Sequence, residues 1–177
     1  MARERIPTPV CANCGCYLRY LEDLPRKQNG VMMHMGDRFC LGGKRARRFR
    51  RSDPKIYVPS WCPKRKSPCE LRVYRFKNRN EAAMHSSLSL SLGRAISPEA
   101  RRYAVEYDLT TTLTPKEFWN GCCHHKSDAE LVGAAVHQYH IVEVDDGILP
   151  VCFYKIDGKY QILRGFDRET ARKNDLV

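Results

Sequence analysis

The pattern of hydrophobic and polar positions divides the chain into two stretches. Up to about residue 78, apolar residues are scattered among many Gly and Pro residues, which break regular elements, so only short strands are predicted. Such a stretch buries little apolar surface and needs a metal, a disulfide or a partner domain for stability. Short strands are expected at residues 39–41, 56–58 and 71–76.

The second stretch carries several signals for helix starts. Thr114 and Ser127 are each followed three residues later by Glu, which is the pattern of a capping box. After Ser127, apolar residues at helical spacing predict a helix to about residue 138. Ser97, followed by Pro and Glu, predicts a third helix start. Residues 81–92 stay open, because their leucines alternate with serines as in a strand while the preceding Asn favours a helix start.

Strands are expected towards the end of the chain. The Asp157-Gly158 pair between two apolar runs is a strong signal for an antiparallel hairpin. Strands are predicted at residues 141–144, 149–156 and 159–166. The chain is therefore predicted to be α+β, with a small N-terminal module (1–78) followed by an α+β domain (79–177).

Composition and charge limit the classes of protein to which the chain can belong. The chain has 177 residues, 42 % of them hydrophobic, and none of its apolar runs approaches the roughly 20 residues of a membrane span. The N-terminal residues lack an apolar signal-peptide core, so a cytoplasmic location is expected. Residues 1–80 carry 20 Lys/Arg against 6 Asp/Glu, whereas residues 81–177 carry 11 against 14. This asymmetry indicates a basic binding end joined to an ordinary globular end.

The cysteines are concentrated in the same basic end. Six of the nine lie in the first 69 residues, and an odd number in a protein with no sign of export argues against a disulfide framework. Clustered cysteines in a reducing compartment more often hold a metal, although free buried thiols are the alternative. The cysteines of this end are Cys11, Cys14, Cys16, Cys40, Cys62 and Cys69.

The spacing of these cysteines predicts a structural zinc ion (Zn2+). Cys11 and Cys14, with Gly15 after them, have the form of a zinc knuckle, in which one tight turn directs two sulfur atoms at one ion. Cys40 and Cys62 each follow an aromatic residue that can shield the site, and they are the expected third and fourth ligands. An iron–sulfur cluster would use similar ligands. The reserve ligands are Cys69, then Cys16 and His34.

A basic tract, residues 44–51, follows Cys40. It holds six Lys or Arg residues in eight positions, and further cations follow Cys62. Cations among aromatic residues suit nucleic acid, because the charges neutralise phosphates and the rings stack on bases. A solvated face, a dock for an acidic protein, or aromatics that form a core are the alternatives. The predicted binding residues are Lys44, Arg45, Arg47, Arg48, Arg50, Arg51, Lys64, Arg65 and Lys66.

One cluster in the second stretch could suggest catalysis or a second metal, Cys122-Cys123-His124-His125. Adjacent side chains point in different directions, so a nucleophile and its base rarely come from neighbouring positions. His137 and His140 could complete a Cys/His zinc site with this cluster. We favour the simpler interpretation, in which the cysteines are packed and the histidines lie at the C-terminal end of a helix.

The remaining signals for an enzyme are weak. Asp145, Asp146 and Asp157 lie at predicted strand ends, where a metal-dependent nuclease holds carboxylates, but turn formation explains them better. The sequence contains none of the P-loop, HExxH, GxSxG or GxGxxG motifs. We therefore expect a protein that is not an enzyme.

The N-terminal half resembles small zinc-binding proteins of phages and mobile elements built on a CxxC…FC…WCP frame with an arginine tract. The matching residues are Cys11, Cys14, Phe39-Cys40, residues 45–51 and Trp61-Cys62-Pro63. The resemblance implies zinc binding and an accessory role in phage–host biology, in the host cytoplasm. One such role is that of an anti-CRISPR inhibitor, which binds a host CRISPR effector nuclease and blocks its DNA binding.

Taken together, these observations predict a zinc-stabilised binding protein without catalytic activity. Its basic module is expected to engage nucleic acid or a nucleoprotein complex. The alternatives are an anti-CRISPR type of inhibitor and, less favoured, an enzyme that depends on the Cys/His cluster.

Overall fold

The computed structural model describes residues 5–28, 30–54 and 57–176. The chain divides into two compact units. The cysteine-rich unit comprises Pro7–Arg65, and the sheet unit comprises Lys66–Val177 together with Met1–Ile6. Helices and antiparallel sheets are both present, so the predicted α+β class is confirmed.

The division between the units lies at Arg65, whereas the sequence suggested a boundary at residue 78. The difference comes from the strand Cys69–Phe76, whose position among the arginines suggested that it belonged to the basic module. This strand pairs with a neighbour on each edge in the largest sheet. Its apolar residues therefore belong to the core of the sheet unit.

The cysteine-rich unit is built from short strands around a small core. A three-stranded sheet has the order β1-β4-β5, and β2 and β3 form a separate hairpin. Tyr20, Met33 and Phe39 form a buried cluster in this unit, and Ala46 and Phe49 are also buried. A core of this size provides little stability by itself. The strands are β1 (Tyr17–Arg19), β2 (Arg26–Gln28), β3 (Val31–Met33), β4 (Arg38–Cys40) and β5 (Arg47–Arg48).

Two of the predicted N-terminal strands are present. The one expected at residues 39–41 is β4, and the one expected at 71–76 is the strand Cys69–Phe76. The third, at 56–58, lies partly outside the described residues. Of its described part, Tyr57 forms a single antiparallel bridge with Val10.

The sheet unit contains one five-stranded antiparallel sheet and four helices among its described residues. The strand order is β10-β9-β8-β6-β7. The strands are β6 (Cys69–Phe76), β7 (Tyr103–Thr111), β8 (Ile141–Asp145), β9 (Val151–Ile156) and β10 (Lys159–Leu163). The helices are α1 (Arg79–Leu92), α2 (Pro115–Cys123), α3 (Asp128–Leu131) and α4 (Arg168–Arg172).

Successive strand residues point to opposite sides of the sheet, and apolar residues are buried on both sides. On one face, Val73 and Phe153 pack with Phe118 of α2 and Leu131 of α3. On the other face, the neighbouring Tyr74 and Tyr154 belong to a cluster that includes residues of α1 and α4. The helices therefore cover the sheet from two sides.

The capping boxes locate two helix starts correctly. The side chains of Thr114 and Ser127 each accept a hydrogen bond from the backbone N–H of the Glu three residues on. Each Glu side chain in turn accepts a hydrogen bond from the backbone N–H of that Thr or Ser. The helix predicted from Ser127 to about residue 138 ends much earlier, at Leu131, so its predicted length is wrong. Gly133 takes a left-handed conformation with φ of 76°, which interrupts the helix.

The helix predicted after Ser97 is also wrong. A single 3-10 turn, Ala100–Arg102, leads directly into β7. The buried Tyr103 and Ala104 at the start of β7 pair with β6, and this pairing outweighs the local preference for a helix.

The open question at residues 81–92 is answered by a helix. The side chain of Asn78 accepts a hydrogen bond of 2.9 Å from the backbone N–H of Glu81, and this caps the start of α1. Gly93 ends the helix in the left-handed region, with φ of 60°. The Asp157-Gly158 hairpin is confirmed, since both residues have the positive φ that a tight two-residue turn requires.

A buried carboxylate attaches α4 to the sheet. Glu143 of β8 is fully buried, and it accepts hydrogen bonds from Tyr74, Arg168 and Arg172. Burial and the hydrogen bond to Glu143 raise the pKa of Tyr74. Glu143 lies between Val142 and Val144 in the apolar part of β8, which is the only sequence signal for this network. None of the described helices is long and apolar enough to cross a membrane.

Candidate metal and nucleic-acid site in the cysteine-rich unit

The first two candidate ligands lie on one tight turn. Residues Cys11–Asn13 form a 3-10 turn, and the backbone N–H of Cys14 donates to the carbonyl of Cys11 at 2.9 Å. The backbone N–H of Tyr17 in turn donates to the carbonyl of Cys14 at 2.9 Å. The chain thus folds back at the CxxC motif, which presents both thiols from consecutive backbone turns, as a zinc knuckle requires.

Strand pairing places Cys16 and Cys40 beside each other. Tyr17 is the partner of Cys40 in the antiparallel β1–β4 pair, and the backbone N–H of Leu41 donates to the carbonyl of Cys16 at 2.8 Å. Gly42 follows at a crowded point, where a Cβ atom would lie 3.2 Å from the sulfur of Cys16. Glycine lets the chain turn here towards the basic tract.

Cys62 lies in a turn held by Arg65. The backbone N–H of Cys62 donates to the carbonyl of Pro59, and the backbone N–H of Arg65 donates to the carbonyl of Cys62. The guanidinium of Arg65 donates to the carbonyls of Val58 and Pro59. The half-buried side chain of Arg65, which was predicted to bind a partner, stabilises the segment before Cys62 through these hydrogen bonds.

The Cys11 thiol lies within electrostatic range of the other three candidate ligands. Burial raises the pKa of Cys11, and the nearby thiolates of Cys62, Cys40 and Cys14 raise it further. A backbone N–H at Cys16 and the Lys64 ammonium, 3.4 Å from the sulfur, hold the pKa of Cys14 below its ordinary value. Backbone N–H groups directed at sulfur are a usual feature around metal-bound thiolates.

The donor set suits zinc, although the side chains are not gathered about a common point. Within residues 5–28, 30–54 and 57–176, no group of three or more His, Cys, Asp or Glu side chains is arranged to hold a metal ion. All nine cysteines are free thiols. Cys11, Cys14, Cys40 and Cys62, with Cys16 beside them, are the cysteines of this cluster. Of the other reserve ligands, Cys69 is buried in the sheet unit, and His34 is exposed in a turn after β3.

Aromatic rings lie next to these cysteines in the chain and in the sheet. Phe49 packs edge-on against Tyr17 and Trp61, with ring centroids 5.8 and 5.1 Å apart. Tyr17 is the strand partner of Cys40, and Trp61 directly precedes Cys62. The guanidinium of Arg47 lies over the Trp61 ring at 4.2 Å, and that of Arg38 lies over Phe49 at 5.3 Å. Phe49 is therefore buried, Tyr17 and Trp61 are half-buried, and arginines lie over Phe49 and Trp61, so these rings pack within the unit and offer little surface for stacking on bases.

The six cations of the basic tract are all exposed to solvent. Ala46 and Phe49, which separate them, are buried and anchor the tract to the unit. Arg48 forms an ion pair with Asp37, and it is the one cation of the tract that pairs with a carboxylate among the described residues. The tract is thus a strongly positive surface that two buried residues anchor to the unit.

The other predicted binding residues have partners within their own units. Lys64 is exposed and lies beside Cys14. Lys66 belongs to the sheet unit, where it forms ion pairs with Glu70 and Asp145. The basic surface that can meet a partner is accordingly centred on the tract itself.

The Cys/His cluster of the second half does not form a site in the part of the chain that the structure describes. Cys123, His124 and His125 are exposed at the end of α2. Burial and the neighbouring Cys123 raise the pKa of Cys122 to about 12, which keeps the thiol protonated and a poor nucleophile. This arrangement agrees with the interpretation that Cys122 is a packed cysteine.

His137 and His140 contact each other instead, with ring centroids 5.3 Å apart. They lie in the turn before β8 and not at the end of a helix, which corrects the expected location. His140 is buried, and its Nδ1 lies 3.5 Å from a carboxylate oxygen of Glu106. Burial, followed by the charge of His137, lowers the pKa of His140 to about 4. The buried imidazole is neutral at physiological pH.

The three aspartates belong to turns, as expected. Asp145 accepts a hydrogen bond from the backbone N–H of Gly147, and Asp146 accepts from those of Ile148 and Leu149. Asp157 is the first residue of the β9–β10 turn.

Comparison of the chain with models of protein families, with curated proteins and with solved structures finds no match. The interpretation of the site therefore depends on its own chemistry.

Proposed function

We propose that the cysteine-rich unit binds nucleic acid through the basic tract, on a fold stabilised by a structural zinc ion. The observation that carries this proposal is the exposure of all six cations of residues 44–51, of which only Arg48 has a carboxylate partner among the described residues. Concentrated like charges repel one another, and phosphates relieve this repulsion while releasing their condensed counterions.

Contacts to the phosphate backbone, rather than to bases, follow from the aromatic packing. Phe49 is buried and Trp61 lies under Arg47, whereas Tyr57 is an exposed ring in this unit, with 54 % of its surface accessible. Guanidinium and ammonium groups at the phosphates carry no sequence information. We therefore expect binding that tolerates many sequences and weakens steeply with salt.

Zinc would be held by Cys11, Cys14, Cys40 and Cys62. Four thiolates fill a tetrahedral shell, so the ion would fix the fold and offer no open position for catalysis. The tract begins at Lys44, four residues after Cys40 at the end of β4, so fixing this cysteine also restrains the start of the tract. The proposed protein is a binding protein and not an enzyme.

The direct test is fluorescence anisotropy with short labelled single-stranded and duplex DNA and RNA, titrated at several salt concentrations. If about four tract cations contact duplex DNA phosphates, log K should fall against log[salt] with a slope of about −3.6. Absence of binding to every probe at low salt would overturn the proposal. It would leave the nucleoprotein hypothesis, in which the tract contacts an effector such as a CRISPR nuclease.

Paired charge reversals locate the surface. Lys44→Glu with Arg45→Glu, or Arg50→Glu with Arg51→Glu, should raise the dissociation constant about tenfold or more, because each pair removes two phosphate contacts. Arg26→Glu with Lys27→Glu is the matched control, since it makes the same change of charge at exposed positions of β2 in the same unit. Equal loss in the control would mean that net charge, and not the tract, governs binding.

A further inference from the structure

Whereas the basic tract is a charged surface, α1 of the sheet unit carries an exposed apolar surface. Met84, Leu88, Leu90 and Leu92 are exposed by 46, 45, 79 and 55 %. Between Glu81 and Arg94, the sequence contains no Asp, Glu, Lys or Arg. Met84, Leu88 and Leu92 lie on one side of the helix, whereas Leu90, two residues from Leu88, lies on the opposite side. A stripe of exposed apolar residues on an otherwise charged protein marks an interaction site.

The positions on this helix have a particular symmetry. Met84, Leu88 and Leu92 are spaced four residues apart and so lie along one side of the helix. Small exposed residues, Ala83 and Ser87, follow the same spacing alongside them and permit close approach of a second helix. The stripe is symmetric about Leu88, with a long apolar residue four positions away on each side.

We infer that α1 is a self-association surface, on which a second copy of this chain packs its own α1 in an antiparallel arrangement. A two-fold axis at Leu88 would pair the two Leu88 side chains with each other and Met84 of each copy with Leu92 of the other. A symmetric dimer requires such a self-complementary patch.

The charges at the two ends of α1 favour a second copy of this chain as the partner, and they favour an antiparallel arrangement of the two helices. An antiparallel pair places Glu81 of each copy near Arg94 of the other, whereas a parallel pair would place Glu81 near Glu81 and Arg94 near Arg94. Helix dipoles also favour the antiparallel arrangement, because each positive N-terminus then lies beside a negative C-terminus. A nucleic acid or an anionic membrane would need cations on this face, and its exposed residues between Glu81 and Arg94 have none.

The expected association is weak. A single helix pair buries less than the roughly 800 Å² per partner of a standard stable interface. The dimer should therefore form with a dissociation constant of about 10 µM to 1 mM, well within the range of sedimentation equilibrium.

The experiment is sedimentation equilibrium of the full chain after nucleic acid has been removed at high salt, with protein up to about 1 mM. The wild type should show a reversible monomer–dimer equilibrium. Leu88→Glu should raise the dissociation constant at least about tenfold, because it places two like charges in contact on the axis. Leu24→Glu is the control, since it makes the same substitution at a leucine that is 80 % exposed in the cysteine-rich unit.

A charge swap tests the direction. Glu81→Arg or Arg94→Glu alone should weaken the dimer, and the double swap should restore it. Circular dichroism of each variant establishes that α1 still folds. A wild type that stays monomeric throughout the range, a dimer that survives Leu88→Glu, or one that is lost equally in the Leu24→Glu control would overturn the inference.

Discussion

The two units of this chain reach stability by different routes. The sheet unit buries some twenty apolar side chains on two faces of one sheet, while the cysteine-rich unit buries only a handful. Charge shows the same contrast, since residues 7–65 hold 13 Lys/Arg against 4 Asp/Glu, while the rest of the chain is nearly balanced at 18 against 16. A unit with a small core and strong self-repulsion needs a cross-link, whereas a large core does not.

The contrast also separates the roles of the side chains. In the sheet unit, cations such as Arg172 and Lys155 are used internally, against Glu143 and Asp128. In the described residues of the cysteine-rich unit, Arg48 is the one tract cation with a carboxylate partner, so the other tract cations are available to a ligand. The unit that is weaker as a folded structure is the better candidate for a binding surface.

Removal of the proposed metal should have the largest effect. A strong chelator, or Cys40→Ser, should unfold the cysteine-rich unit and leave the sheet unit folded, because a structural zinc ion contributes on the order of 10 kcal/mol to folding. Each unit contains one tryptophan, so the variants Trp119→Phe and Trp61→Phe allow fluorescence to report on the units separately.

Elemental analysis supplies the stoichiometry, with one equivalent of zinc expected. Cys123→Ser, an exposed cysteine of the sheet unit, should retain both metal and fold. Iron with visible absorbance would identify an iron–sulfur cluster. A folded, metal-free wild type would contradict the proposed site.

Loss of one arginine should have a smaller effect, confined to the sheet unit. Arg172→Ala removes a partner of the fully buried Glu143 and leaves its charge only partly compensated, which should lower the free energy of unfolding by about 3 kcal/mol. Urea unfolding monitored at Trp119 measures this change. Arg164→Ala, at an exposed position, is the control and should change stability little. An equally small effect of both substitutions would show that α4 is not held through Glu143.

Acid should destabilise the sheet unit by a still smaller amount. Because the folded pKa of His140 is about 4 and its ordinary value is 6.5, the unfolded chain takes up the proton first. Stability is therefore fully present above pH 6.5 and is lost as the pH falls towards 4. Between pH 7.5 and 5 the free energy of unfolding should fall by about 1–2 kcal/mol from this residue.

The variant His140→Gln separates this residue from other acid-sensitive groups. It should flatten the pH dependence only in part, because burial also lowers the pKa of His85. His124→Gln, at an exposed position of the same unit, should leave the slope unchanged. A slope that is the same in all three proteins would exclude His140 as a source of acid sensitivity.

Local sequence signals predicted the fold well where the structure depends only on residues close in the chain. The capping box at Thr114 and the Asp157-Gly158 turn depend on a few neighbouring residues, and both are present. Signals that compete with long-range pairing failed. Pro98 and Glu99 do not start a helix, because β7 takes its place beside β6. The length of α3 was overestimated because the conformation of Gly133 is not evident from periodicity.

The candidate site was predictable in part. The CxxC spacing predicted the tight turn at Cys11 and Cys14, which is present, whereas the zinc ligand set stays a prediction. Sequence could not show that Arg65 binds backbone carbonyls or that Arg47 covers Trp61, because both depend on how distant segments meet. Residues of the basic tract were easier to identify, since a dense charge run remains exposed whatever the fold.

β6 lies inside its sheet, between β8 and β7, and this has a consequence for synthesis of the chain. The cysteine-rich unit is complete once Arg65 has been made, and domains made first generally fold first. The next segment to emerge is β6, but its partners β7 and β8 begin only at Tyr103 and Ile141. Until β7 has been made, β6 has two unpaired edges, and it keeps one unpaired edge until β8 has been made. An unpaired strand with alternating apolar side chains is prone to aggregate. A ribosome that stalls before residue 141 would therefore present a complete cysteine-rich unit joined to β6, a strand prone to aggregate.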